Sequence, residues 1–445
     1  MITVDHGISS LKSVELARKK GMIIIITDHH LPCATLPNAH AIVNPHLKNC
    51  KFRSKCLSGS GVAFYLMLAL RKVLIQNNWF KIKKIKIPKL AEFLDLVALG
   101  TISDCVPLDL NNRILVYQGL KRIRSKKCRT GIQILIDVLK LDISVLSTED
   151  ISFYLSPIIN VAGRLKNMSI GVSLLLTDSI EHAFTIVKKL FFLNKKRKLI
   201  SHFTEEQAIK TCKHEAKLNK QNISGFVLYD KNWHEGISGI VAARIREHFY
   251  CTTVVFAKTK NNLLKGSVRS IAEINIRNLL YELNKLHPKL IISFGGHKTA
   301  AGLVIKYCNL DAFKKIFLKL VKSKLIGMSL KKILWSDGEL YPHECSLKTA
   351  KLILLSAPWG NQFPYPIFDG KFYVLKQHII GKCHLKIQIK SIFGGPILNG
   401  ILFNCDLSIW PNKKIDMALI AYKLNIHKYE SYYSLQLIII HLLPL

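Results

Sequence analysis

The tightest constraint on the fold lies in the first 30 residues. Ile2-Thr3-Val4 reads as a short apolar strand ending at Asp5. Ser10 stands where it can cap a helix with Leu11, Val14 and Ala17 on one face, and Gly21 closes that helix. Met22 to Ile26 is then an unbroken apolar run, read as a second strand, that ends in Thr27-Asp28-His29-His30. A strand apolar on both faces belongs in a parallel sheet covered on both sides, and strand, helix, strand in about 30 residues is a βαβ unit. Chemistry in such sheets gathers outside the carboxyl ends of the strands, so Asp5 and the Asp28–His30 run are expected side by side.

Farther along, 61–76 and 91–100 read as apolar helices or buried segments, and Ala98 to Asp104 brings another acidic residue to the end of an apolar stretch before Pro107. No Gly or Pro interrupts 172–224, and Ile180, Phe184, Val187 and Phe191 keep helical spacing ahead of Lys195-Lys196-Arg197-Lys198. That stretch is expected to form one or two long helices linking two lobes. A second α/β block starts at Gly225, with strands at Phe226–Tyr229 and Thr252–Ala257, a helix from Asn275 to Leu286, and a strand Leu290–Phe294 running into Gly295-Gly296-His297. From about Ile333 the pattern changes to alternating strands such as His384–Lys390, with Gly turns at Gly394-Gly395 and Gly400. Short strands with little helix indicate a small β-barrel.

The formal charge of +36, from 65 Lys and Arg against 29 Asp and Glu, calls for a polyanionic partner, with nucleic acid the leading class. A lineage rich in AT codons would also enrich Lys, Ile and Asn, so the charge supports nucleic-acid binding without establishing it. Eleven scattered Cys form no CxxC pair, which fits free thiols in a reducing cytoplasm rather than a disulfide framework. No apolar run reaches about 18 residues, so no membrane association is expected. The first residues lack the basic and apolar regions of a signal peptide.

Asp5, Asp28, His29, His30 and Asp104 make an oxygen and nitrogen donor set without thiolate, expected to converge at strand ends and suited to Mn²⁺ or Mg²⁺. Taken singly, an Asp at a strand end is more often a cap or turn residue; the order of the whole set is what points to a metal site. That order resembles the DHH phosphoesterases. Val4-Asp5-His6-Gly7, Thr27-Asp28-His29-His30 and Gly100-Thr101-Ile102-Ser103-Asp104 are similar to three of the family's motifs. Pro157 to Arg164, with Asn160-Val161-Ala162-Gly163-Arg164, resembles a stretch of the RecJ-type members. Trp233-His234-Glu235-Gly236, Gly266-Ser267-Val268-Arg269-Ser270 and Gly295-Gly296-His297 resemble the DHHA1 domain.

The resemblance implies an α/β protein in four parts: a parallel-sheet DHH domain over 1–178, linking helices over 179–222, an α/β DHHA1 domain over 223–328, and an OB-like β-barrel over 329–445. It implies a single-strand-specific 5′-to-3′ DNA exonuclease that uses two Mn²⁺ or Mg²⁺ ions, releases mononucleotides and serves DNA repair and recombination. Asp5, His29 and Asp104 would be metal ligands, and Asp28 would hold the histidines. His30, Arg164, Ser267, Arg269, Gly295, Gly296 and His297 would meet substrate phosphates. On the barrel, Lys371, Phe372, Tyr373, Lys376, His384 and Lys386 are candidates for contact with the incoming strand. Single-stranded DNA is the implied partner, together with a single-strand-binding protein and a helicase, and the working unit is expected to be a cytoplasmic monomer.

The family's first acidic motif does not appear ahead of Val4, so the chain is expected to be a fragment, a misassigned start or a product of a decaying gene. Val268 stands where the RecJ-type members carry Gly and is expected to narrow the end-phosphate pocket. Two other readings use the same residues: a catalytically impaired DHH-derived nucleic-acid-binding protein, and a phosphoesterase of short oligonucleotides.

Overall fold

The computed structural model describes the chain apart from residues 33–34, 219–222, 329–332, 382, 408, 413 and 430–431. The expected junctions at 222 and 329 fall on residues outside those described. The opening βαβ unit forms: β1 (Ile2–Val4), β2 (Ile25–Thr27) and β3 (Ala41–Val43) make a parallel sheet in that order, with Ile2 opposite Ile25 and Ile25 opposite Ala41. Two local details differ from expectation. Ser10 occupies the N-cap of helix Leu11–Lys19, but its side chain makes no capping hydrogen bond, and Val14 is the one residue of the expected face that is fully buried. A three-stranded sheet offers this helix only a narrow surface to cover. The strand is also shorter than the apolar run, because Met22 N still bonds back to Ala17 O at 3.2 Å; Met22 and Ile23 finish the helix exit and stay exposed.

Helices fill the rest of this lobe, among them Gly59–Gln76, Leu94–Ser103, Leu110–Arg124, Thr130–Val138 and Ser156–Leu165. Helix Gly59–Gln76 is long and apolar enough by length and composition to cross a membrane; its Val62 and Phe64 are buried in a core with Leu57, Leu90 and Val97. The expected linker is a single helix, Ile180–Leu218, of 39 residues, about 58 Å long at 1.5 Å per residue. Ala183, Ile186, Val187, Leu190 and Leu193 lie in the core of the first lobe, whereas Ala208 and Cys212 lie in a core of the second. One uninterrupted rod is thus packed into both lobes and fixes their separation.

The second lobe is a five-stranded sheet in the order β4 (Gly225–Tyr229), β5 (Thr252–Lys258), β6 (Leu263–Arg269), β8 (Ala300–Lys306), β7 (Ser293–Gly296). Only β4 and β5 are parallel; the other pairings are antiparallel. The strand expected from Leu290 begins instead at Ser293, with Leu290 and Ile291 buried just before it.

The terminal block closes into an OB-like barrel in the order β10 (His384–Ser391), β11 (Gly394–Leu402), β13 (Tyr432–Pro444), β12 (Met417–Tyr429), β9 (Phe368–Ile380). Gly394 and Gly395, both at positive φ, turn β10 into β11. Gly400 is not a turn. It lies inside β11, where a Cβ would come 2.8 Å from Ile439 Cδ1 and 3.0 Å from Ile387 Cγ2, so its bare backbone lets the barrel core close. The segment leading into the barrel is bonded to the first lobe through Leu108 N to Asn361 O at 2.8 Å and Thr148 Oγ1 to Trp359 O at 2.6 Å.

Candidate active site

Asp5 ends β1 with φ +67° and donates its backbone N–H to Thr27 O, so the two parallel strands deliver Asp5 and Asp28 to one rim. Asp28 is buried and accepts four hydrogen bonds. Its Oδ2 accepts from Ile8 N at 3.0 Å; its Oδ1 accepts from His29 N at 2.7 Å, His30 N at 3.1 Å and His30 Nδ1 at 2.7 Å. Burial opposes the charge of Asp28, but these bonds outweigh it and hold the carboxyl well below the usual range. The same contact raises the His30 imidazole above its ordinary value. Asp28 therefore fixes both histidine backbones and one ring, which leaves the His29 ring to point elsewhere.

His29 Nε2 lies 2.9 Å from Asp5 Oδ1 and 3.4 Å from Asp104 Oδ2, yet it is buried and makes no hydrogen bond. Asp104 is not at a strand end as expected. It is the C-cap residue of helix Leu94–Ser103, and burial raises its carboxyl, with Asp5 adding to the rise. An unbonded buried nitrogen facing two carboxylate oxygens fits a divalent cation: ligand atoms around an ion with bonds of about 2.1 Å stand about 3 Å apart. Asp5, His29 and His30 also bring one donor atom each within 4.8 Å of one another.

The second lobe reaches this rim. His297, just past β7, stacks on His30 with centroids 5.2 Å apart and planes at 21°, and lies 6.1 Å from the His29 ring. Burial, then the neighbouring His30, His29 and Arg277, push its imidazole below the ordinary value. Gly296 has φ +150°, and a Cβ there would meet Ala300 O at 2.4 Å, whereas a Cβ on Gly295 would meet open space. Gly296 is thus required by the β7–β8 pairing, and Gly295 presents bare backbone.

Along β6 the side chains alternate, with Val268 fully buried and Ser267 and Arg269 partly exposed. Val268 faces the sheet's core with Val254 and Leu280, so it does not narrow a pocket on the other face. Ser267 Oγ is 2.8 Å from Ser238 Oγ, and the start of helix Ser238–Phe249 adjoins both residues: a Cβ on Gly239 would sit 3.4 Å from Arg269 Nη2 and 3.5 Å from Ser267 Oγ. Arg164, at the end of helix Ser156–Leu165, spans the lobes by donating to Gly236 O at 3.2 Å.

Several neighbours of these residues escaped the sequence reading. Asn44 Nδ2 donates to His30 O at 2.9 Å, and the half-buried His46 is lowered by desolvation and then by the neighbouring His29. Arg197, on the inner face of the long helix, is held by Asn194 Oδ1 at 3.0 Å; burial, then the charges of Arg164 and Arg244, lower it. Burial, then Arg246 and Arg164, do the same to Arg269. Asn361 Nδ2 donates to Cys105 O at 2.8 Å, tying the residue after Asp104 to the approach to the barrel. The Asn-Pro-His run at 44–46 was a readable signal for the first two; nothing in one sequence marks the arginines apart from other surface charge.

On the barrel, Lys371, Tyr373 and Lys376 are exposed and Lys386 is partly exposed. Phe372 is not available to a ligand: it is 2% exposed and packs edge-on against Tyr422 in the barrel core, because strand alternation turns it inward. His384 is committed to its hairpin, with Nδ1 accepting from Asn404 N at 3.0 Å and its ring against Phe403.

Family models match three segments: the DHH family N-terminal domain at residues 1–101, the DHHA1 domain at 222–323 and the RecJ OB domain at 336–441. The whole chain is 44% identical to the single-stranded-DNA-specific exonuclease RecJ of Dickeya dadantii and 45% identical to that of Escherichia coli, and it covers 77% of each. Among solved structures, RecJ from Thermus thermophilus in complex with Mn²⁺ superposes with a TM-score of 0.77 at 26% identity, over 99% of this chain and 61% of that one.

Proposed function

The chain belongs to the RecJ family of single-stranded-DNA-specific exonucleases, and on that premise we propose that its lobes form a metal-dependent site that hydrolyses single-stranded DNA from a phosphorylated 5′ end, releasing mononucleotides. The observation that carries this reading is the buried, unbonded His29 Nε2 between Asp5 and Asp104. Asp5, His29 and Asp104 would hold a Mn²⁺ or Mg²⁺ ion. Bound there, divalent ions supply charge neutralisation at the phosphate and activation of a water.

The chain's own groups do the rest. Asp28 engages His30 Nδ1 and so leaves Nε2 for the scissile phosphate. Ser267 and Arg269 form the seat for the terminal phosphate, and Arg164 binds a substrate phosphate from the first lobe, where guanidinium forks match phosphate oxygens; the bare backbone at Gly295 allows a strand to approach closely. An end-phosphate seat on one lobe and a hydrolytic site on the other give a fixed reading direction. Lys371, Tyr373, Lys376 and Lys386 offer the barrel's outer face to the incoming strand.

Single-strand specificity requires that duplex be opened elsewhere, which supports a helicase and a single-strand-binding protein as partners in DNA repair and recombination. The working unit in this reading is a monomer, and the free thiols among the described residues support a cytoplasmic setting.

The test is Mn²⁺-dependent hydrolysis of a 5′-phosphorylated oligonucleotide, with duplex and dinucleotide as comparisons. Asp104→Ala should abolish hydrolysis and leave DNA binding largely intact. Activity that survives Asp104→Ala overturns the ligand assignment. A preference for the dinucleotide turns the reading to short oligonucleotides, and binding without hydrolysis turns it to an impaired nuclease.

A further inference from the structure

Helix Gly59–Gln76 begins with Ser58-Gly59-Ser60-Gly61, a run that no functional reading has so far used. Its first turn is wedged between the two elements that carry the carboxylates flanking His29. On one side, a Cβ built on Gly59 would lie 2.5 Å from Asp5 Cβ, 2.6 Å from Asp5 Oδ1 and 2.7 Å from Asp5 Cγ. On the other side, a Cβ on Gly100 would lie 2.3 Å from Ser60 Oγ, and Ser58 Oγ is 3.2 Å from Thr101 Oγ1. Gly100 and Thr101 belong to the helix whose C-cap is Asp104. Ser58 Oγ also accepts from Gly61 N at 3.2 Å, which locks the turn itself.

Asp5 has little else to fix it. Its side chain is 57% exposed and its backbone is at φ +67°, a region that L residues with a Cβ seldom occupy. It is a short side chain on a strand bonded to Thr27, so it cannot swing clear of an intruding methyl as a long chain would. We infer that Gly59 is a positioning residue for the metal centre: its bare backbone is the wall against which the Asp5 carboxylate is set toward His29. The same turn, through Ser60 and Gly100, spaces Asp5 from Asp104. Gly59 touches neither metal nor substrate and acts only through Asp5. The inference rests on the metal-centre reading above.

The test uses the 445-residue chain and Mn²⁺ alone, with binding followed by calorimetry or by the spin resonance of the free ion. Gly59→Ala should weaken Mn²⁺ binding by at least about tenfold, the lower end of what loss of ligand support costs. The comparison is Gly225→Ala, in the other lobe, where the new Cβ would be 2.5 Å from Thr252 O; it should lower the Tm without moving the Mn²⁺ affinity. Wild-type affinity in Gly59→Ala, or an equal loss in both variants, overturns the inference.

A thermal cycle gives a readout that needs no metal and no fully stable single variant. Asp5→Gly removes the side chain that Gly59 abuts and suits the positive φ, so adding it to Gly59→Ala should recover most of the lost Tm. Additive losses, or a double variant that does not fold, overturn the proposed contact. A wild-type chain without Mn²⁺ affinity would instead overturn the metal-centre reading, and the cycle would still decide whether Gly59 seats Asp5.

Discussion

Asp28→Asn is the substitution whose cost follows most directly from the structure. The carboxylate is 1% exposed and serves four donors: Ile8 N on Oδ2, and His29 N, His30 N and His30 Nδ1 on Oδ1. Asparagine keeps one acceptor oxygen. Its better orientation retains the three Oδ1 bonds and turns the amide toward Ile8 N, which leaves a buried donor unmet at about 1–3 kcal/mol. The retained bonds also lose the strengthening that an ionised acceptor gives, a further 1 kcal/mol or so. Relief from burying a charge offsets part of this, so the net loss should be about 2–4 kcal/mol, a large share of a typical domain's 5–15 kcal/mol. The assay is urea unfolding in chelator, where no ion contributes. The sign with pH is set by the two shifts. The folded Asp28 carboxyl is depressed, so its stabilisation is present above the unfolded value of about 3.9 and is lost as pH falls through the lower folded value. His30 is raised, so its part is complete below about 6.5 and is lost as pH rises through the higher folded value. The gap between wild type and Asp28→Asn should therefore be widest from roughly pH 4 to 6.5 and should close in acid. A difference within about 0.5 kcal/mol at pH 6, or one that persists unchanged to pH 2, would refute the assignment of these bonds.

Three further outcomes separate site from scaffold. Arg269→Ala should reduce the ratio of hydrolysis rates on 5′-phosphorylated and 5′-hydroxyl strands, and an unchanged ratio would remove Arg269 from the end-phosphate seat. Val268→Gly should cost about 2–4 kcal/mol in denaturant unfolding, because it empties a fully buried site and loosens a strand, while the same end preference stays fixed; a changed preference would restore Val268 to the pocket. On the barrel, Tyr373→Ala should weaken binding of a long single strand with little change in Tm, whereas Phe372→Ala should lower stability by about 3–5 kcal/mol as a core truncation. Reversed effects would mean the strand alternation in β9 was assigned to the wrong faces.

The parts of this fold legible in the sequence are those in which one residue type at one spacing leaves few alternatives. The short apolar strands ending at Asp5 and Asp28 pair in parallel as expected, and most of the stretch without Gly or Pro forms one helix, Ile180–Leu218. Boundaries were less legible, because they depend on neighbours. Met22 and Ile23 are as apolar as Ile26, yet they stay outside β2 while the chain completes a helix exit. Gly400 read as a turn because Gly usually is one, but only the closed barrel shows that Ile439 and Ile387 occupy the space a side chain would need.

The candidate site divides along the same line. Motif residues carry their chemistry in their identity, so Asp104 could be named as a donor although its backbone was assigned to a strand end rather than to a helix C-cap. What no motif encodes is the relation between elements. His297 meets His30 across two lobes whose spacing is set by one helix packed into both, and the burial of Val268 beside the exposed Ser267 and Arg269 follows from which face of β6 the core occupies. Gly59 is the extreme case. Alone it is one small residue at a helix start, and its consequence appears only when Asp5 is found 2.5 Å from where its side chain would be. A metal centre assembled from a strand end, a loop and a helix cap needs some element to hold those three apart by fixed distances. On the positioning role inferred for Gly59, that work falls to one turn, Gly59 against Asp5 and the hydroxyls of Ser58 and Ser60 against Thr101 and Gly100, which is why the donors could be read one by one while the part that spaces them could not.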